Sequence, residues 1–259
     1  MLNRNKINFI ISLQKKKVRD ENLLYIIEGD KMVREYITAG MAVKSVIAKP
    51  EFLSSLTGNI PQQIETEAVS YEDLKKISTL KTPHNALALV EIPQRDVGVK
   101  MILKDWSLAL DCIQDPGNLG TILRAAGWFG IKNIVCSEDC VDAYNPKVVQ
   151  SSMGALIHLN VAYLPLIDFL SEASKDQVPV YGTLLNGESI YKETFEKSGI
   201  ILIGNESKGI SDSLIPFISN KIMIPRSGDS KYGIDSLNAA MAASIVLSHI
   251  AGKGKISGF

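Results

Sequence analysis

Ile222-Met223-Ile224-Pro225, a polar loop, and then Asp235-Ser236-Leu237-Asn238 at the head of an alanine-rich run ending at Ile250 decide how the second half of this chain is read. A short apolar run stopped by proline is a buried strand, because proline has no N–H for the next ladder bond. Asp235 or Ser236 is placed to cap the helix that follows. Ala239, Ala240, Ala242, Ala243 and Ser244 let another backbone come close, and a helix apolar on nearly every side belongs in a core. Ser236 and Asn238 at its tip are then either plain caps or the polar edge of a cleft.

The same alternation extends upstream. Apolar runs at 108–113, 133–136, 160–164, 179–184, 200–203 and 221–224 are separated by helical periods at 119–129, 145–155, 167–174 and 211–219, with 237–250 as the last helix. Such a pattern predicts a mostly parallel sheet covered on both faces. Before it lies a smaller α/β layer, extended at 25–27, 43–48, 63–66 and 86–92 and helical at 6–13, 31–39, 52–56 and 71–77. Residues 1–92 and 106–259 are read as two domains, with 93–105, rich in proline, glycine and charge, as linker.

Composition sets limits. The 28 Lys plus Arg balance 28 Asp plus Glu, and residues 1–92 hold 13 basic and 11 acidic side chains, so any nucleic-acid surface must be a local patch. The best local candidate is Lys15-Lys16-Lys17 with Arg19, whose alternative reading is a solvated helix face. Cys112, Cys136 and Cys140 are sparse and lack metal-ligand spacing, which points to reduced thiols, a cytoplasmic setting and no metal. No run approaches a membrane span, and the short apolar start has no cleavage site, so neither membrane nor signal peptide is expected.

Ligands of parallel sheets sit beyond the strand C-termini. Three such positions are unusual. In Asp115-Pro116-Gly117-Asn118, Pro116 and Gly117 fit a type II turn with Asn118 as N-cap, and Arg124 faces away from the stripe Leu119, Ile122, Leu123, Ala126 and Phe129. Gly120 and Gly127 flank that arginine without side chains. Ile203-Gly204-Asn205-Glu206 ends another strand; it is not a P-loop, because Lys208 precedes Gly209 and Ile210 follows it. The third position is the opening stretch. Together they suggest a cleft for a small molecule of mixed or no charge. No nucleophile elbow or dinucleotide fingerprint appears.

Asn118-x-Gly120-x-x-x-Arg124, then Ile203-Gly204-Asn205-Glu206-x-x-Gly209-Ile210-Ser211, then Ile224-Pro225 with Ser236-Leu237-Asn238, resemble the three motifs of the SpoU/TrmH-type RNA 2′-O-ribose methyltransferases of the SPOUT superfamily. Residues 23–31, with Ile26-Ile27-Glu28-Gly29, and 77–90 resemble the family's N-terminal substrate-binding domain, similar to ribosomal protein L30e. The resemblance implies a SPOUT α/β domain with a C-terminal trefoil knot, a homodimer that completes the site, and S-adenosylmethionine as methyl donor. It implies Arg124, Asn118, Glu206, Ser236 and Asn238 as the catalytic set, and Thr183, Leu184, Gly204, Ile224 and Leu237 as the cofactor site. Lys15, Lys16, Lys17, Arg19 and, in the long 226–235 loop, Lys231 with Tyr232 are the expected RNA contacts. The family's motif-1 arginine is proposed as a base; guanidinium holds its proton too firmly for that, so Arg124 is read as stabilising the developing alkoxide, with Ser236 or water taking the proton. The implied substrate is RNA, ribosomal before transfer RNA. A base methyltransferase and a non-catalytic RNA-binding relative are the rival readings.

Overall fold

The extended runs of the first region become strands β1 (Leu24–Glu28), β2 (Val43–Ala48), β3 (Glu65–Ala68) and β4 (Ala86–Glu91) in the order β1-β4-β2-β3. Only β2 and β3 run parallel. Helices Arg4–Ser12, Asp30–Thr38, Pro50–Ser54 and Tyr71–Ile77 arise where the helical period stands, the first and last capped by Asn3 and Ser70. The computed structural model describes residues 2–56, 58, 60–94, 98–227 and 236–256. They fall into two units, Met1–Gln94 with Asp142–Ile157, and Arg95–Val141 with His158–Phe259. The Pro146–Ser152 helix thus belongs with the first unit, where it packs on β1.

Lys15 precedes a Lys16–Asn22 helix that carries the rest of the basic cluster, and its three lysines stay exposed. Lys16 pairs with Asp20 at 2.7 Å and Lys17 with Glu21 at 3.8 Å, each one helical turn away. Arg19, expected as an RNA contact, is 1% exposed. Its guanidinium donates to the Asp142 carboxylate, to the Leu13 carbonyl at 2.9 Å and to the Gln14 carbonyl at 2.8 Å. A cation so committed cannot reach a phosphate, and its role is structural. Replacing Arg19 by alanine leaves the half-buried Asp142 without its cation and is expected to cost about 3 kcal/mol in denaturant-induced unfolding; a loss below about 1 kcal/mol would mean that the pair is no better than its solvated parts.

In the second unit β5 (Ser107–Leu110), β6 (Asn133–Cys136), β7 (Asn160–Tyr163), β8 (Val180–Ser189), β9 (Ile200–Ile203) and β10 (Asn220–Met223) form an all-parallel sheet in the order β10-β8-β9-β5-β6-β7. Helices Pro116–Trp128, Leu166–Lys175 and Ala239–Gly252 cover it, with a 3-10 turn at Asp212–Phe217. Ala109, Val135, Phe169, Leu170, Ile200 and Leu202 are among its core, joined by Ile102 and Leu103 from the stretch expected as linker. Among several boundaries that differ from expectation, two are of strands, and the helix expected at 211–219 is only the 3-10 turn. The run 108–113 stops as a strand at Leu110, because Cys112 takes a left-handed backbone (φ 55). β8 continues past Leu184, although its pairing with β9 ends at Gly182.

Candidate active site

A parallel sheet puts the C-terminal ends of all its strands along one edge, and there the three motifs meet. After β5, Asp115 rather than Asn118 is the helix N-cap: its carboxylate accepts from the Asn118 N–H at 2.8 Å, and Pro116 occupies the first helical position. A proline at that position starts the helix three residues earlier than the turn reading places it. Asn118 is thereby released from capping, and its amide projects from the first turn.

At the other end Asn238, not Ser236, caps the last helix, its Oδ1 accepting from the Ala240 N–H at 2.9 Å and the Met241 N–H at 3.3 Å. Asp235 lies outside the described residues, as do Lys231 and Tyr232. With Oδ1 turned to the helix, Asn238 Nδ2 must face outward, and it donates to Asn118 Oδ1 at 2.8 Å. Asn118 then has only its Nδ2 left to offer, and this donates to Glu206 Oε1 at 2.6 Å. The helix end therefore fixes the sense of a three-member relay, Asn238 to Asn118 to Glu206. Residues separated by up to 120 positions in sequence share it.

The Glu206 loop is closed tightly. Asn205 and Gly209 exchange backbone bonds of 2.9 Å in each direction, and Gly209 needs its positive φ of 72 to turn the chain. A Cβ on Gly204 would stand 2.3 Å from the Gly209 carbonyl carbon, so no other residue fits. Asp111, 5% exposed, accepts from the Ser211 N–H at 2.7 Å beyond the loop.

Arg124 is not brought into this relay. Six residues beyond Asn118 on one helix, it stands about 120° around and 9 Å along the axis. It is exposed, and no described residue pairs with it. Gly127 beside it is exposed, whereas Gly120 is buried. Ser236 and Leu237 are exposed immediately before Asn238. Thr183, Leu184 and Ile224 are half-buried and Gly204 is buried; Gly204 and Ile224 follow β9 and β10, while Thr183 and Leu184 lie within β8 where its pairing with β9 has ended and its register with β10 shifts. Thr183 donates to the Leu202 carbonyl at 3.2 Å, tying β8 to β9 at this edge.

The Asp139 carboxylate beside Cys112 pushes that thiol up to about 11, so it is no nucleophile at neutral pH. Among the described residues no group of three or more His, Cys, Asp or Glu could hold a metal, and no helix is long and apolar enough to cross a membrane. A cleft of 440 Å³ lies elsewhere, between Phe129, Tyr191 and the Met241–His249 face of the last helix. It does not touch the relay. Burial there lowers His249 below the ordinary imidazole range.

Sequence reading found Asn118, Glu206 and Asn238 but missed Asp115 as cap and Asn205 and Cys112 as supports. Asp115-Pro116 was itself a helix-start signal. Nothing in the sequence marks Cys112 as left-handed.

The chain matches the family model described as SpoU rRNA Methylase family over residues 105–248, and that described as MRM3-like substrate binding domain over residues 4–88. It is 29% identical over 241 residues to the 23S rRNA (guanosine(2553)-2′-O)-methyltransferase RlmP of Bacillus subtilis, covering 93% of each chain. Among solved structures, a TrmH-family protein of Porphyromonas gingivalis is similar with a TM-score of 0.87 and 34% identity, over 96% of this chain and 98% of that one. An AdoMet-bound rRNA methyltransferase of Sinorhizobium meliloti is similar with a TM-score of 0.83 and 25% identity, over 99% and 97%.

Proposed function

The chain belongs to the SpoU rRNA Methylase family, and from that premise we propose that it transfers a methyl group from S-adenosylmethionine to a ribose 2′-hydroxyl of ribosomal RNA. The observation that carries the reading is the Asn238–Asn118–Glu206 relay, which gathers the three motifs at one sheet edge. The match of residues 4–88 to a substrate-binding domain supports 1–92 as the RNA-binding domain, and the match of 105–248 supports 106–259 as the catalytic one, although its segment 142–157 packs with the first unit.

Bound S-adenosylmethionine supplies an electrophilic methyl on its sulfonium. Gly204 is covered by the backbone of Gly209 and Ile210, so its missing side chain serves the Glu206 loop, while Leu184, Ile224 and Leu237 would offer apolar walls and Thr183 a polar rim to an adenosyl group. Glu206 Oε1 is occupied by Asn118, which leaves Oε2 to orient the substrate. Holding the 2′-hydroxyl in line with the methyl removes much of the entropic barrier. The 2′-hydroxyl proton leaves to water, either directly or through exposed Ser236, which passes its own hydroxyl proton to solvent as it accepts the other.

Arg124 serves the alkoxide of a second copy in a homodimer. Its outward direction supports this, as do the neighbouring exposed apolar side chains Trp128 (76%) and Met241 (56%). The return of Asn238 from edge strand β10 across β8 and β9 to Asn118 is what a trefoil knot would produce. A cytoplasmic setting completes the proposal.

Purified protein, labelled S-adenosylmethionine and total RNA test the activity. Label in ribosomal RNA at linkages that resist alkali is the expected result. Label in transfer RNA would reassign the substrate, and label at alkali-labile nucleotides would make the protein a base methyltransferase.

A further inference from the structure

The relay holds Glu206 at its tip, but one hydrogen bond from Asn118 does not hold the loop beneath it. That work falls to Asn205. Its Oδ1 accepts from the Ser207 N–H at 2.9 Å and the Lys208 N–H at 3.1 Å, and its Nδ2 donates to the Cys112 carbonyl at 2.8 Å. One side chain therefore closes the crown of the loop and roots it on the end of β5.

The root depends on an unusual backbone. Cys112 is a non-glycine residue with φ 55, a conformation that costs an L-residue about 1 kcal/mol. Its neighbours enforce it. The Cys112 N–H donates to Ser137 Oγ at 2.8 Å, the Ile113 N–H donates to Cys140 Sγ at 3.2 Å, and the Asp111 carboxylate is tied to Ser211. In an extended backbone the Cys112 carbonyl would turn away from Asn205. Strain kept in place by surrounding bonds, one step from a reacting group, is what a site uses to stay preorganised.

We infer that Asn205 and the left-handed Cys112 form a positioning device for Glu206, setting its carboxylate against Asn118 without either residue touching RNA or methyl donor. The inference rests on the reading of Glu206 as catalytic. It is specific to the Cys112 backbone rather than to its thiol.

Three variants test it: Asn205→Ala, Cys112→Val and Cys112→Gly. Asn205→Ala is expected to lower kcat by about 100-fold with KM for RNA changed by less than about threefold, because only orientation in the reacting state is lost. Valine resists positive φ and should lower kcat by about tenfold, whereas glycine adopts it freely and should keep full activity. On a Glu206→Ala background Asn205→Ala should add no further loss, since it acts through that carboxylate. Additive losses, an effect on KM alone, or equal damage from glycine and valine would overturn the inference.

Hydrogen exchange at the Ser207 and Lys208 amides gives a readout independent of catalysis. Protection should fall in Asn205→Ala and Cys112→Val and persist in Cys112→Gly. If the wild-type protein transfers no methyl group, the proposed function fails, and the exchange pattern alone still decides whether this corner holds the loop.

Discussion

Arg124→Lys is expected to lower kcat/KM for ribosomal RNA by about 10³-fold while S-adenosylmethionine binding stays unchanged. The charge is kept, so any loss reports geometry. A planar guanidinium can hold a phosphate oxygen and the developing 2′-alkoxide at once, whereas an ammonium is a point charge on a flexible stem. Among the described residues the arginine has no partner to lose, being exposed on the Pro116–Trp128 helix, so stability should not change. Near-normal turnover with lysine would remove the bidentate role. Arg124 is turned about 120° from Asn118 on the same helix, and the proposed homodimer would bring it to the relay of a second copy. Mixed dimers of Arg124→Ala and Glu206→Ala should accordingly recover activity that neither parent has. Failure of mixing, with mixed dimers shown to form, would place arginine and carboxylate in one protomer.

Asn118→Asp should lower kcat by about 100-fold at neutral pH and move the activity optimum to lower pH. The substitution keeps shape and replaces the Nδ2 donor, now 2.6 Å from Glu206 Oε1, with a second carboxylate oxygen. Two carboxylates at that distance cannot both ionise, so the pair holds one proton with a raised affinity. Below that raised pKa the shared proton restores a hydrogen bond, and above it repulsion splits the relay. Activity relative to wild type must therefore fall as pH rises. A pH profile parallel to wild type would show that Asn118 does not orient Glu206.

The strands and helices of both units were legible because their cause is local. Alternation of apolar runs with helical periods survives any tertiary rearrangement, and β2, β6 and β9 stand where the runs are. The site was half legible. Asn118, Glu206 and Asn238 are polar residues at strand ends, and the sheet's parallel order brings strand ends together whatever the loops do. Their individual duties were not, since capping depends on which neighbour reaches the free N–H groups first. Asp115 reached them at one helix and Asn238 at the other.

Arg19 shows the opposite limit. It follows Lys15-Lys16-Lys17-Val18 in a cluster that reads as a surface face, and Asp142, 123 residues away, is the partner that it meets when buried. Charge pattern cannot see such a partner.

By itself the sequence determined the α/β class, the strand ends that bear polar groups and the family motifs, because periodicity and spacing are properties of the chain taken in order. Tertiary structure alone decided the sense of the amide relay, the burial of Arg19 and the left-handed turn at Cys112. Each of these is set by hydrogen-bond partners that arrive from distant segments, and a partner's direction exists only once the chain has folded.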